Sequence, residues 1–181
     1  MSFRPAVFPV LETARLVLRE FRESDFDAFC SIYADETNAR YIGGRKTRFA
    51  CWEKMTALIG HWQMRGFGRF AIEEKATGAF LGHCGPSQTG FWPEPEINYS
   101  LVPSASGRGV ASEAVTRVLR HVYQDLGWNS AVSLIEPENL ASRRVAEKAG
   151  ARCEATATRE DGALVEIWRH TDPAQHMRAS A

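Results

Sequence analysis

The sequence predicts a mixed α/β fold in which a central, mostly antiparallel, twisted sheet is flanked by helices. Hydrophobic periodicity switches repeatedly between two and about 3.6 residues along the chain. Strand-like segments are often joined by tight turns, as at Lys75-Ala76-Thr77-Gly78 and Glu160-Asp161-Gly162-Ala163, which only antiparallel neighbours can use. Helical segments interrupt the strands instead of alternating with them one for one, so a doubly wound parallel sheet is not expected.

Each element follows from local chemistry. The first ten residues, opening Met1-Ser2-Phe3-Arg4-Pro5, read as a tail, and Arg15–Arg19 is a strand rich in β-formers. Ser24, followed by Asp25 and Asp27, supplies N-cap chemistry for a helix running through Phe26, Phe29 and Ile32. A second helix spans about 48–64, with Trp52, Met55, Ile59 and Trp62 on one face, and ends at Gly66 and Gly68. Residues 69–74 and 79–84 form a hairpin. Residues 96–102 form a further strand, stopped by Pro103, which has no N–H for a ladder.

A long helix then carries Val110, Ala114, Val118, Val122 and Leu126 on its inner face and closes at Gly127. Residues 131–135 are a short apolar strand, and 139–148 a helix ended by Gly150. A terminal hairpin pairs 153–159 with 164–170. The stretch from Asp172 to Ala181, with Pro173 and little apolar periodicity, reads as a frayed tail. The expected organisation is one domain over 1–181, with its core at about 11–170.

With 22 basic and 22 acidic residues the formal charge is zero, so neither nucleic acid nor an anionic membrane is favoured as a partner. Apolar runs fall short of the roughly 20 residues that span a bilayer, and the N-terminus lacks the apolar core of a signal peptide. A cytoplasmic location is expected. Cys30, Cys51, Cys84 and Cys153 are scattered, without a CxxC pair or a His at metal spacing, and no metal site is expected.

The most informative stretch is Pro103-Ser104-Ala105-Ser106-Gly107-Arg108-Gly109-Val110-Ala111-Ser112-Glu113. A strand ends, a glycine-bearing turn follows and a long amphipathic helix begins. The first N–H groups of that helix have no intrahelical partner and coincide with the positive end of its dipole. Gly107 and Gly109 let the backbone close around an anion, so the turn is a candidate pyrophosphate cradle. A glycine-softened helix start without a ligand is the other reading. No Gly-Lys-Ser/Thr follows, which excludes a nucleoside-triphosphate P-loop, and the third glycine and parallel βαβ setting of a dinucleotide fold are missing.

The segment from Glu96 to Ala151 resembles the signature region of the GNAT N-acetyltransferases, nearest the branch containing the ribosomal-protein N-terminal acetyltransferases. Glu96-Ile97-Asn98-Tyr99-Ser100-Leu101 resembles the family's central strand. Residues 107–114 resemble its pyrophosphate turn and helix, and 137–150 its second CoA-contacting helix, with Asn139, Ser142 and the ending Glu147-Lys148-Ala149-Gly150. Leu11-Glu12-Thr13-Ala14-Arg15-Leu16-Val17-Leu18-Arg19 resembles that branch's first strand, so the likeness runs from about 11 to 170.

The resemblance implies the GNAT acyl-CoA N-acyltransferase fold, acetyl-CoA as co-substrate and a primary amine, either a protein N-terminus or a small molecule, as acceptor. It implies direct attack in a ternary complex with no acyl-enzyme, so none of the cysteines is read as a nucleophile. CoA contacts are expected from Leu101, Val102, Gly107, Arg108, Gly109, Val110, Ala111, Asn139 and Ser142. The assembly leaves room for a homodimer.

The chain departs from the family pattern at Ser104, where Gln or Arg is frequent, at Ala151, where an aromatic is usual, and at Ala146, where many members carry a tyrosine near the sulfur. Ser142 is then the candidate proton donor to the thiolate, or only a pantetheine contact. Asn139 is a pantetheine contact, an N-cap, or both.

An amine must be neutral to attack, and Glu96, opening the central strand, is the candidate base. Glu94, His83 and water are the alternatives, with His83 more readily a satisfied structural histidine. Main-chain amides between Asn98 and Val102 are expected to polarise the thioester carbonyl, provided the strand splays from its neighbour. Phe91-Trp92-Pro93, Trp52 and Trp62 are candidates to wall the acceptor pocket. A catalytically weak acyl-CoA-binding or regulatory module is the rival reading.

Overall fold

The computed structural model describes residues 8–88, 94–159 and 162–171. Met1–Pro5, Phe91, Trp92, Pro93, Glu160, Asp161 and Asp172–Ala181, all named above, lie outside the described residues. The strands are β1 (Leu11–Glu12), β2 (Leu16–Arg19), β3 (Phe70–Glu74), β4 (Phe80–Ser87), β5 (Glu96–Leu101), β6 (Val132–Ile135), β7 (Arg152–Thr158) and β8 (Leu164–Arg169). The helices are α1 (Phe26–Ala34), α2 (Glu36–Ala39), α3 (Arg48–Arg65), α4 (Val110–Gln124) and α5 (Leu140–Lys148).

The strands form one eight-stranded sheet in the order β1-β2-β3-β4-β5-β6-β8-β7. Every neighbouring pair is antiparallel except β5 and β6. This is the mixed, mostly antiparallel sheet that the alternating periods predict. No helix among the described residues is long and apolar enough to cross a membrane.

Local differences have local causes. Ser24 is not the cap of α1: it sits inside a 3-10 turn, Glu23–Asp25. Asp25 does the anchoring. Its carboxylate accepts both terminal nitrogens of Arg19 at 2.8 Å and the Arg22 N–H at 2.8 Å, while Arg19 Nε donates to Glu73 at 2.6 Å. Arg19 and Asp25 are each 4% exposed, so the paired, hydrogen-bonded geometry is what permits their burial. The stretch Leu11–Arg19, which resembles one first strand, is two, β1 and β2 paired antiparallel, and the short α2, whose cap is Asp35 accepting from Asn38 N–H, had too little periodicity to be read.

In α3 the buried side chains are Cys51, Met55 and Trp62, while Trp52 is 45% exposed and stands edge-on to Phe26. Trp62 is core, packed on Phe8 and Phe70 and donating its indole N–H to Arg69 O at 2.9 Å. Neither tryptophan lines the cleft described below. The inner face of α4 is buried as its periodicity predicts, and it packs on β4 and β5.

Candidate active site

The architecture is interrupted where β5 meets β6. These strands share one paired position, Glu96 with Val132, and β5 then runs on to Leu101 without β6 beside it. Ser133 Oγ caps the break by donating to Ile97 O at 3.0 Å. Along β5, alternate residues send N–H and C=O to opposite sides. Val102 N–H donates to Leu81 O on the β4 side, whereas the carbonyls of Ile97 and Leu101 face the other way, to Ser133 and Asn38. The N–H groups of Tyr99 and Leu101 therefore point into the opening. The Val102 amide is committed to the sheet, so that residue is not a main-chain donor to a ligand in the opening.

The opening is a cleft of about 550 Å³, walled by Tyr99–Leu101 on one side, by Asn139, Ser142 and Val145 of α5 on the other, and floored by Gly107, Gly109, Val110 and Ala111. Gly107 and Gly109 have φ of +74° and +78°. A Cβ at Gly107 would meet nothing within 4 Å, and one at Gly109 only Arg15 Nη2 at 3.5 Å. The glycines are thus required for backbone conformation and not for space: two left-handed residues turn the chain so that the free amides opening α4 face the cleft.

The turn is braced from outside. Glu113 accepts Thr13 Oγ1 at 2.6 Å, Arg15 N–H at 3.1 Å and Arg15 Nε at 2.7 Å, and Arg15 Nη1 donates to Arg108 O. Partial burial opposes ionisation of Glu113, but the hydroxyl and guanidinium donors win and hold its carboxyl below the usual range. Arg108 itself points away, pairing with Glu74 at 2.5 Å, and does not line the cleft. Ser104 is exposed and outside it too. The bracing role of Thr13, Arg15 and Glu113 escaped sequence reading. Its only trace was an acidic residue in the first turn of α4.

On the α5 side, Asn139 is the N-cap, its Oδ1 accepting Ser142 N–H at 3.1 Å, and it lines the cleft as well. Ser142 lines the same cleft. The main chain of Tyr99 was expected here, but its side chain was not: its hydroxyl donates to Ser142 O at 3.1 Å, and burial pushes its phenol up, keeping it protonated. Ala146, at the family's tyrosine position, is 1% exposed and packs with Ile135, Ala151 and Trp168. A phenol there would enter that small core instead of the cleft. Tyr41, on the loop after α2, straps the cleft mouth by donating to Glu138 O at 3.2 Å.

The candidate bases separate by their partners. Glu94 is held by both terminal nitrogens of Arg169 at 2.8 and 3.0 Å, and that pairing keeps its carboxyl below the usual range. Glu96 is half-buried, and Ser87 Oγ approaches it at 3.5 Å. It lies outside the cleft walls, on the opposite face of β5 from Tyr99, with Asn98 and Ser100. His83, paired across the sheet with Ser100, is wholly buried, and desolvation pushes its pKa well down. It is not a satisfied histidine: Nε2 is 3.5 Å from Tyr33 OH and Nδ1 has no partner. All four cysteines are free thiols.

Residues 15–152 match the model of the acetyltransferase (GNAT) domain. The chain is 30% identical over 138 residues to the uncharacterized N-acetyltransferase p20 of Bacillus licheniformis, covering 73% of this chain and 76% of that protein. The crystal structure of an acetyltransferase from Agrobacterium tumefaciens superposes with a TM-score of 0.81 at 28% identity, over 90% and 94% of the two chains. Mycobacterium smegmatis RimJ, solved with CoA-disulfide, shares the fold at a TM-score of 0.70 and 22% identity, over 97% and 95%. The matched span contains every residue of the cleft, and the chain belongs to the GNAT acetyltransferase family.

Proposed function

We propose that the protein moves an acetyl group from acetyl-CoA to a primary amine by direct attack within a ternary complex. The observation that carries this reading is the cleft itself, in which unpaired amides of β5 and the left-handed turn opening α4 line one continuous channel. Family members use acyl-CoA, and the residues present suit it. Free amides at a helix start suit a pyrophosphate. Arg144 and Lys148 at the cleft wall suit further phosphate, and the open edge of β5 suits the amides of a pantetheine arm.

When bound, the donor supplies an activated carbonyl and a thiolate leaving group. The N–H groups of Tyr99 and Leu101 polarise that carbonyl as negative charge develops on its oxygen. Glu96 takes the proton that the acceptor ammonium must lose before or as its nitrogen forms the new C–N bond. Ser142 Oγ gives a proton to sulfur as the C–S bond breaks and regains one from the second proton that the nitrogen sheds as the amide forms, and Tyr99 holds the first turn of α5 in place through Ser142 O. The products are an N-acetyl amine and free CoA, with one proton released overall.

The test is free-thiol release from acetyl-CoA with peptides of varied N-termini run beside small amines. Acetylation of at least one class is the expected outcome. Tight acetyl-CoA binding without thiol release across the whole panel would leave a binding module in its place.

A further inference from the structure

Behind β5, on the face away from the donor cleft, separated segments bring together around Glu96 a group of polar side chains that, Glu96 apart, the transfer chemistry above does not use. Strand alternation places Glu96, Asn98 and Ser100 on this face, opposite Ser87, Gly85 and His83 of β4. Arg69, preceding β3, lies across Gly85: a Cβ there would stand 2.6 Å from Arg69 Cα and 2.5 Å from Gly68 O, so the missing side chain is what admits the arginine. From above, α1 contributes Tyr33, and α3 contributes Lys54, whose Nζ is 5.6 Å from the Tyr33 ring centroid. Lys46 approaches the same ring at 5.9 Å.

The charges do not balance. Arg69 makes no side-chain hydrogen bond or ion pair with a described residue, and its Nε is buried without a partner. Lys54 likewise has no carboxylate within ion-pairing distance among the described residues. Among the described residues, Glu96 is the carboxylate whose field reaches Arg69, while Lys54 and Arg69 repel each other. Burial and this repulsion pull the Lys54 ammonium down to about 8. Partly buried cations held close together with one carboxylate between them are unfavourable unless something else brings more negative charge. The site therefore has one group suited to an ammonium, Glu96, and two suited to an anion.

We propose that the acceptor amine carries its own anionic group, a carboxylate in the first instance, and that Lys54 and Arg69 bind that anion while Glu96 receives the amine. This rests on the acetyl-transfer reading and narrows its substrate class to amino acids or to peptide N-termini followed by an acidic side chain. The cations beside Glu96 give a purely cationic amine, such as a polyamine, no reason to prefer this face.

The test uses the whole protein and matched acceptor pairs: amino acids beside their amides, and peptides with Asp or Lys as second residue. Thiol release gives kcat/KM, and calorimetry on the CoA-loaded protein gives binding of the same compounds. The acid member of each productive pair is expected to be favoured at least about tenfold, the size of one charge-assisted contact. Lys54→Met should erase most of that preference and Lys54→Arg keep it. Arg69→Lys, which retains a charge where outright removal would threaten the fold, should weaken it.

Which pair responds tells amino acids from peptides. Equal use and equal binding of acid and amide members would overturn the inference while leaving acetyl transfer standing. Selective binding of the acids without any thiol release would support the anion site and sink the transfer reading instead.

Discussion

The two faces of β5 are built in opposite ways. The donor face is made largely from contiguous sequence and main chain: residues 99–111 and 139–148 supply most of the cleft, and its key donors are amides. The face proposed for the acceptor is made from side chains delivered by α1, α3, β4, β5 and the residue before β3. A site built from backbone tolerates changes of side chain and survives as a motif. A site built from isolated side chains can be rewritten one residue at a time. The difference is one way in which a fold shared at 16–28% identity among solved relatives can vary one face of its central strand and keep the other.

That contrast is open to experiment, and the largest effect should come from the residue on the acceptor face closest to the chemistry. Glu96→Gln keeps the size and removes the charge. As a base, its loss should depress kcat by roughly 100-fold, and raising the pH should restore part of the activity by supplying neutral amine. If Glu96 only attracted the ammonium, KM would rise instead and added salt would shrink the gap to wild type. Wild-type turnover across pH 6 to 9 would remove Glu96 from the mechanism.

On the donor face, Gly109→Val should act through the backbone. The site has room for the side chain, but φ of +78° disfavours a β-branched residue. A conformational penalty of about 1–2 kcal/mol would weaken CoA binding roughly five- to thirtyfold. Thermal stability should change less than the affinity. Calorimetry showing unchanged CoA affinity would mean the cradle is misplaced.

Ser142→Ala should lower kcat about fivefold with little change in acetyl-CoA affinity, a smaller loss than for the base because a thiolate leaves well unaided. An effect on affinity alone would make Ser142 a pantetheine contact. Tyr99→Phe is the comparison: it keeps the Ser142 hydroxyl but frees the α5 turn, so a loss in that variant alone would move the role to Tyr99.

The smallest expected effect is a titration. Lys54 is charged below about pH 8 and neutral above it, surrounded by Arg69, Lys46, His83, Tyr33 and Cys51. The preference for acidic acceptors should hold below pH 8 and fall as pH rises through it, and Lys54→Arg should flatten that profile. The same depression has a stability sign. Between about 8 and the ordinary lysine value of 10.5 the unfolded chain holds more protons here, so the lysine's unfavourable contribution diminishes as pH climbs through that window.

What could be read from the sequence follows the same division. The element order, the inner face of α4 and the glycine turn were legible because each depends on neighbours within a few residues. Cap geometry was less so: the serine before α1 had the right chemistry, but Asp25 was claimed by Arg19, Arg22 N–H and the end of β2, contacts no local window contains. In α3, two stripes share Met55 and Trp62, and only packing decides that Cys51, and not Trp52, joins them. The Ala146 departure looked like a lost acid. Its position under Trp168 shows a residue with another task. Arg69 and Lys54 carried no signal at all, because a lone basic residue in sequence is indistinguishable from a solvated one.

The single rung between β5 and β6 has a mechanical consequence. The eight strands behave as a five-stranded and a three-stranded slab joined along a seam that is mostly unstitched, and the cleft proposed for the donor opens along that seam. A bound donor therefore acts as a structural tie as well as a reactant. At a hundred times its dissociation constant, such a ligand adds about 2.7 kcal/mol to the folded state. Amide exchange should slow most for Tyr99 and Leu101, on the open edge, and least along β2 and β3, whose ladders are already complete. Release of CoA after each turnover would then loosen the joint before the next donor closes it.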